Sequence, residues 1–381
     1  MIWTALFGFL PLLIWIHLLL FRGMFWLAHE RDDREMSAPL KEWPSVTAVV
    51  PARNEADVIA RSVGSLLAQD YPGSLRIVLV DDESDDGTAQ IARALDTGTK
   101  LTVLSGERRP AGWTGKLWAM SQGIAHASAN GEPDYLWFTD ADIAHAPDNL
   151  RNLVARAQSN GLVLTSLMAK LHCTTWPERF FIPAFVFFFG MLYPFRWVNN
   201  PKSRTAAAAG GCMLVERKTL EAAGGIGQIR SAIIDDCALG RLLKARGPVW
   251  LGLTNRAVSI RPYVSLGEIR RMVARSAYAQ LGYSPLLLLG TLLGLAVMFL
   301  APPLWALFGD GIGRFAGLLT WGVMVISLWP MSLFFGRSPF WGVALPAIGL
   351  LYAAFTFDSA LQHWSGRGGM WKGRSQAARR A

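Results

Sequence analysis

Thr47-Ala-Val-Val-Pro-Ala-Arg-Asn-Glu55 is a β-rich run that ends in a polar cluster, and Leu75-Arg-Ile-Val-Leu-Val-Asp-Asp82 repeats the pattern further along. Between the two, Val58, Ile59, Val63, Leu66 and Leu67 recur at helical spacing, and Asp70-Tyr-Pro-Gly73 supplies a turn. Strand, helix, strand in this order predicts a parallel pair with the helix packed across it. Outward from this unit the alternation continues, with a helix near Gly87 to Leu95, a strand at Leu101 to Leu104, a helix near Thr114 to Ala127 and a strand at Tyr135 to Phe138. The expected fold class is therefore α/β, with a mostly parallel, Rossmann-like sheet. Open sheets of this kind bind ligands beyond the carboxyl ends of their strands, and Pro51 to Glu55, Asp81-Asp82 and Asp140-Ala-Asp142 all fall there.

The last of these clusters carries the most chemistry. Asp140 and Asp142 follow a hydrophobic strand and set two hard oxygen ligands two positions apart, a pattern suited to Mg²⁺ or Mn²⁺. Two acids at a strand end more often do no more than solvate a loop and cap the next helix. The repetition of the pattern in Val80-Asp-Asp-Glu-Ser-Asp-Asp-Gly-Thr88 raises the functional reading above that one. Within this second cluster one of Asp85, Asp86 and Thr88 serves as a helix cap. Asp82, nearest the strand, is the acid placed to accept hydrogen bonds from a nucleoside.

The remainder of the chain meets lipid. A hydrophobic share of 52% and a mean hydropathy of +0.27 exceed ordinary soluble usage, and Ile2 to Leu27 and Ser284 to Leu361 are nearly free of charge. The first run is longer than a signal-peptide core and reads as a retained anchor. Arg22, Arg31 and Arg34 follow it, so the positive-inside bias puts the amino terminus outside and the next domain in the cytoplasm. Ser284 to Phe308, Phe315 to Phe335 and Phe340 to Phe357 are each near spanning length. Four crossings would leave the basic tail outside, against the same rule, unless one carboxyl-terminal segment is re-entrant or interfacial. Phe180 to Phe195 is too short, and too broken by Pro183 and Pro194, to span; it reads as an interfacial helix, with a buried core helix as the alternative.

Net charge is +9, and Arg367, Lys372, Arg374, Arg379 and Arg380 concentrate part of that excess in the tail, which suits an anionic leaflet rather than nucleic acid. Cys173, Cys212 and Cys237 form an odd set without C-x-x-C spacing, so neither a structural disulfide nor a zinc site is expected. The expected organisation is an anchor over 1–28, an α/β domain over 44–265 with its interfacial helix at 180–195, an amphipathic connector over 266–283, three membrane segments over 284–361 and a basic tail over 362–381.

In their joint order, Pro51-Ala-Arg-Asn-Glu55, Asp82 with Ser84-Asp-Asp-Gly-Thr88, Asp140-Ala-Asp142 and Ile233-Ile-Asp-Asp-Cys-Ala-Leu239 resemble the inverting family-2 glycosyltransferases of GT-A fold. The resemblance implies a nucleotide-sugar donor, expected to be a UDP-sugar, and a divalent cation. It implies that Pro51, Ala52, Arg53, Glu55 and Asp82 form the nucleoside side and that Asp140 and Asp142 hold the metal–diphosphate. Asp236 becomes the general base. Lys116, in Trp113-Thr-Gly-Lys-Leu-Trp118, matches a lysine common in the family and would neutralise phosphate charge; an exposed lysine at a helix start is the plainer alternative. Gly210-Gly-Cys-Met-Leu-Val-Glu-Arg217 looks like the glycine-rich loop on the acceptor side.

The layout is most similar to the bacterial hopene-associated glycosyltransferases, cousins of the ceramide glucosyltransferases, which implies a lipid acceptor, an inner-membrane location and a cytoplasmic catalytic face. Trp371-Lys-Gly-Arg374 looks like the W-x-G-R tail of those relatives. Their Q/R-x-x-R-W motif is departed from in Met272-Val-Ala-Arg-Ser276, which keeps the arginine and lacks the tryptophan, so a single sugar addition is expected rather than chain extension. A catalytically silent scaffold of the same fold and a nucleotidyl- or phosphosugar transferase are the competing readings.

Overall fold

The computed structural model describes residues 2–34, 40–95, 98–371 and 374–375. Met1 and, in the basic tail, Lys372, Arg379 and Arg380 lie outside the described residues, as does the middle of the W-x-G-R stretch. An apolar helix, α1 (Ile2–Phe21), precedes the α/β region. That region runs β1 (Val46–Ala52), α2 (Ile59–Leu67), β2 (Leu75–Asp81), α3 (Thr88–Arg93), β3 (Leu101–Ser105), α4 (Gly115–Ala129), β4 (Tyr135–Phe138), β5 (Ile143–His145), α5 (Asn149–Asn160) and β6 (Leu164–Lys170). It continues through α6 (Trp176–Leu192), α7 (Phe195–Asn199), β7 (Met213–Glu216), α8 (Arg217–Ala222), α9 (Asp235–Lys244) and β8 (Val249–Ser259). Beyond it come α10 (Leu266–Ala274), α11 (Ala277–Gln280) and α12 (Pro285–Leu295), which passes through a π turn at Ala296–Leu300 into α13 (Ala301–Phe308). The last helices are α14 (Gly311–Phe334) and, after a 3-10 turn at Pro339–Ala344, α15 (Leu345–Trp364).

The strands β1 and β2 are buried along almost their whole length, which explains why Val, Ile and Leu occupy both faces instead of alternating with polar residues. The strand order is β3-β2-β1-β4-β7-β6-β8-β5. The four strands β3, β2, β1 and β4 run parallel, as do β6 and β8; β7 is antiparallel to both β4 and β6, and β5 to β8. The mostly parallel sheet is thus mixed on its second half. Ile59, Val63 and Leu66 turn the inner face of α2 into the core. Across the other face, α4 lies so near β1 that a Cβ on Gly123 would come within 2.5 Å of Val49.

Where β1 leaves β4 decides where a ligand can enter. Their pairing ends at Val49 with Phe138, whereas β1 keeps β2 as a neighbour through Ala52. Pro51, which has no N–H to donate, therefore stands where one side of the strand is already open. The crevice between β1 and β4 is also the point at which the strand order reverses, the usual ligand position in such sheets.

Three carboxyl-terminal stretches, Pro285–Phe308, Gly311–Phe334 and Pro339–Trp364, are long and apolar enough to cross a membrane. The loop expected over Gly309 to Arg314 shrinks because α14 begins at Gly311, before the apolar run, and the Arg314 guanidinium donates to the Gly309 carbonyl at 3.0 Å. The third helix outruns its apolar stretch too, carrying Asp358, Gln362 and His363 before it stops. Helix α1 lies along this group, with Trp15 edge-on to Phe299 at 5.7 Å and its indole N–H donating to the Met298 carbonyl at 3.1 Å.

Helix α6 lies between the sheet domain and these helices, and Phe181, Ile182, Val186 and Phe187 are buried there. A reciprocal cap starts it, in which Thr175 accepts from the Glu178 N–H and Glu178 accepts from the Thr175 N–H at 2.8 Å. Fully buried, Glu178 also accepts from the backbone of Tyr263 at 2.6 Å and Thr174 at 2.9 Å and pairs with His172 at 2.8 Å. Burial by itself would raise this carboxyl, but these donors outweigh it and hold it below the usual range. Replacing Glu178 with alanine strands buried N–H groups and is expected to cost about 3 kcal/mol. Thermal unfolding of the protein in detergent should register that loss, whereas no change in midpoint would show that the cap does not hold α6 to the domain.

Candidate active site

Beyond the ends of β1 and β4 lies an open cavity of about 390 Å³. The β1 side contributes Pro51 and Glu55, the segment after β4 contributes Asp140 and Asp142, the start of α4 contributes Lys116, and the first turn of α9 contributes Asp235 and Asp236. Apolar side chains line it as well: Met168, Leu171, Met272 and, from α6, Phe185 and Phe189. Met272 and Arg275, from the stretch that departs from Q/R-x-x-R-W, both reach the cavity.

Lys116 holds the acids together. Its ammonium lies 2.8 Å from Asp140 Oδ1 and 3.0 Å from Asp235 Oδ2. Burial disfavours its charge, yet Asp140 and Asp235 outweigh that effect and fix it firmly as a cation. It is therefore no exposed helix-start lysine. Asp236 accepts hydrogen bonds from the Gly210 N–H at 3.0 Å and the Cys237 N–H at 2.7 Å. A carboxylate in the first turn of a helix is ordinarily favoured by the helix dipole. Here burial first, and the charge of Asp235 second, prevail over Lys116 and the two N–H donors, so the Asp236 carboxyl is pushed up to about 6. That is a value at which a carboxylate both is ionised near neutrality and accepts a proton readily.

The position of Asp236 depends on glycine. A Cβ on Gly240, one turn further along α9, would come within 2.7 Å of the Ala207 backbone, so the helix rests directly on the segment that leads into Gly210. A Cβ on Gly210 itself would stand 3.2 Å from the Lys116 ammonium and 3.5 Å from Asp236. Glycine keeps the backbone close enough for its N–H to reach the carboxylate.

Three of the residues singled out from the sequence, Ala52, Arg53 and Asp82, are not among those that line this cavity. Ala52 and Asp82 are buried, and Arg53 lies 3.8 Å from the Asp82 carboxylate while its guanidinium donates to the Asp82 and Glu83 carbonyls. This layer braces the loop that presents Glu55. Among the acids after β2, Asp86 is the cap, accepting from the Thr88 N–H at 3.0 Å and from the Ala56 N–H at 3.0 Å.

Arg261 escaped the sequence reading. It pairs with Glu55, lies 3.2 Å from Asp57 and reaches to 3.8 Å from Asp142, so one guanidinium links the β1 and β4 sides of the crevice. The signal was present, since Arg261 follows a strand end just as the acidic clusters do. His145 was missed as well. Burial lowers it to about 3, leaving it neutral. Asn149 donates to its Nδ1 at 3.0 Å, which leaves the proton on Nε2 to be donated to Thr139 Oγ1 at 2.8 Å. The Thr139 hydroxyl then donates to the Gly211 carbonyl at 3.0 Å, tying the Asp140 segment to the glycine loop.

Asp140 and Asp142 offer hard oxygen donors to the cavity, and among the described residues no group of three or more His, Cys, Asp or Glu side chains is gathered for an ion. Two carboxylates fit an Mg²⁺ or Mn²⁺ ion that completes its shell with substrate phosphate oxygens and water.

Residues 47–224 match the family described as Glycosyl transferase family 2. The chain is 35% identical over 119 residues to succinoglycan biosynthesis protein ExoO of Rhizobium meliloti, a match covering 31% of each chain. It is 32% identical over 125 residues to 4,4'-diaponeurosporenoate glycosyltransferase of Staphylococcus haemolyticus, again covering 31% of each. The chain thus spans about a third of the length of the curated relatives it matches. Among solved structures, a mannosyltransferase from Pyrobaculum calidifontis in complex with GDP-Man and Mn²⁺ superposes with a TM-score of 0.56 at 18% identity, covering 96% of this chain and 99% of that one. This likeness places the chain in the GT-A-like fold.

Removing the Lys116 charge takes away a cation that holds Asp236 down. Lys116→Met is therefore expected to move the Asp236 carboxyl above about 6. Infrared titration of the protonated-carboxyl band, with Asp236→Asn as the blank, measures the shift; a fall or no movement would contradict the charge balance described here.

Proposed function

Because residues 47–224 carry a glycosyl transferase family 2 domain, we propose that this protein is a membrane-bound, inverting glycosyltransferase that moves a sugar from a nucleotide-diphosphate sugar, expected to be a UDP-sugar, to a lipid acceptor. The observation that carries the reading is a single cavity lined both by acids with Lys116 and by the apolar Phe185, Phe189, Leu171 and Met272. A charged donor and an apolar acceptor can meet there. The GDP-Man and Mn²⁺ held by the similar mannosyltransferase support the donor class and the cation.

In this reading 44–265 is the catalytic unit. Pro51 and Glu55, braced by Ala52, Arg53 and Asp82, bind the nucleoside end of the donor. Asp140 and Asp142 hold Mg²⁺ or Mn²⁺, which when bound offsets the negative charge of the diphosphate. Lys116 stands between this pair and α9 and adds a fixed cation beside the phosphates. Asp236 accepts the proton of the acceptor hydroxyl as its oxygen attacks the anomeric carbon. The bond from that carbon to the diphosphate oxygen breaks, the electron pair leaves with the nucleoside diphosphate, and the configuration inverts in one displacement.

Arg22, Arg31 and Arg34 support a cytoplasmic position for this unit at a bacterial inner membrane, and hopanoids or other glycolipids are the products the layout favours.

Asp236→Asn keeps the shape of the site and removes the base, so turnover should fall by about 10³-fold while nucleotide binding by calorimetry stays largely intact. Unchanged turnover would remove Asp236 from the role. The ionised form is the active one and the carboxyl sits at about 6. Consequently kcat/KM should be flat above that pH and decline about tenfold per unit below it. EDTA should stop transfer and Mn²⁺ or Mg²⁺ restore it. Release of nucleoside diphosphate together with a labelled lipid is the expected product pair; release of pyrophosphate would point to nucleotidyl transfer, and donor binding without turnover to a silent scaffold.

A further inference from the structure

The third carboxyl-terminal apolar helix has the length of a membrane span, yet both its ends are held on the side of the α/β domain. At the entry, α14 delivers the chain to that side. Arg31 and Lys170 each stand 4.9 Å from the Phe334 ring, and the Arg337 guanidinium donates to the Cys173 carbonyl. The turn at 339–344 then folds back along α14. The Trp321 indole N–H donates to the Val343 carbonyl at 3.0 Å, and a Cβ on Gly342 would come within 2.7 Å of Val325.

From that depth α15 climbs again. Gly349 abuts the Phe299 ring at the π turn, and the Tyr352 hydroxyl donates to the Phe181 carbonyl of α6 at 3.1 Å. Near its end, Ser359 accepts from the Tyr278 N–H at 3.0 Å, Asp358 pairs with Arg270 at 3.4 Å, and His363 stacks on Tyr283 at 4.3 Å. Arg270, Tyr278 and Tyr283 all belong to the connector between the domain and the first carboxyl-terminal span. The far end of the helix group is marked by other contacts: the turn at Gly309 and Asp310, and Gly8 of α1 against Gly313.

We propose that α15 and the turn before it re-enter the membrane instead of crossing it. The chain then crosses three times, by α1, by α12 with α13, and by α14, and α15 ends at Trp364, with Arg367 just beyond it, on the same face as the cavity. Arg367 then lies on the side of the cations that follow α1, as the positive-inside bias favours. It also keeps Asp358 next to Arg270 at the membrane border instead of stranding it in hydrocarbon. The 3-10 turn at 339–344 rests on α14 at Gly342, and the Trp321 indole donates to its Val343 carbonyl, so a backbone group freed at the turn keeps a partner at membrane depth. Helix α6 consequently has α15 beneath it and the cavity above it. The inference rests on the membrane part of the proposed function and is independent of its chemistry.

Single cysteines at exposed positions test it in the full-length protein, where the three native cysteines are buried. Lys218→Cys marks the domain, Asp310→Cys the turn between α13 and α14, and Ser365→Cys the end of α15. A membrane-impermeant maleimide is applied to sealed right-side-out and inverted vesicles. The expected result is labelling of Lys218→Cys and Ser365→Cys from one side and Asp310→Cys from the other. Labelling of Ser365→Cys together with Asp310→Cys, or of all three from one side, overturns the proposal. Sugar transfer measured on the same vesicles fails or succeeds separately, so an error in the chemistry is not mistaken for one in the topology.

Discussion

A half-buried ammonium among carboxylates is the constraint on which the site depends. Asp140, Asp142, Asp235 and Asp236 come from segments far apart in the chain and converge on one cavity. Like charges at such range repel by several kcal/mol at the dielectric of a protein surface. Lys116 meets Asp140 and Asp235, and Arg261 meets Glu55 and approaches Asp142, so each half of the acid cluster has its own counter-charge. The balance is incomplete around Asp236, and that shortfall keeps its carboxyl at about 6.

Local pattern made much of this legible. The β1 and β2 runs are buried on both faces, and continuous hydrophobicity bounded by turn residues announces that arrangement. The strand-then-acid pattern singles out Asp140 and Asp142, whereas Asp235-Asp236 stands out only through the family resemblance. The rule cannot tell which residues of a loop reach the cavity: Pro51 and Glu55 line it, while Ala52 and Asp82 are buried beside Arg53. Arg261 and His145 act through partners distant in sequence, and no short window contains both members of such a pair.

Membrane parity was out of reach for the same reason. Hydropathy records how many apolar residues follow one another, and α15 has enough of them. Its path is set by side-chain contacts with α14, α6 and the connector, among them Trp321 to Val343, Tyr352 to Phe181 and His363 to Tyr283. The helix at 180–195 is a related case: Phe-rich on every side, it starts earlier, at Trp176, because the Thr175 and Glu178 cap fixes its first turn. Its rings then divide, Phe185 and Phe189 toward the cavity and Phe181 and Phe188 toward Tyr352.

The seat of Gly240 on Ala207 leaves no gap between the helix bearing Asp236 and the strand-entry segment below it. Those two pieces can shift only in unison, like a hinge plate and its screw. Any widening of the cavity must come from longer, jointed side chains on the remaining borders, chiefly Arg275 and Met272, whose rotamers can change while the backbone stays in place.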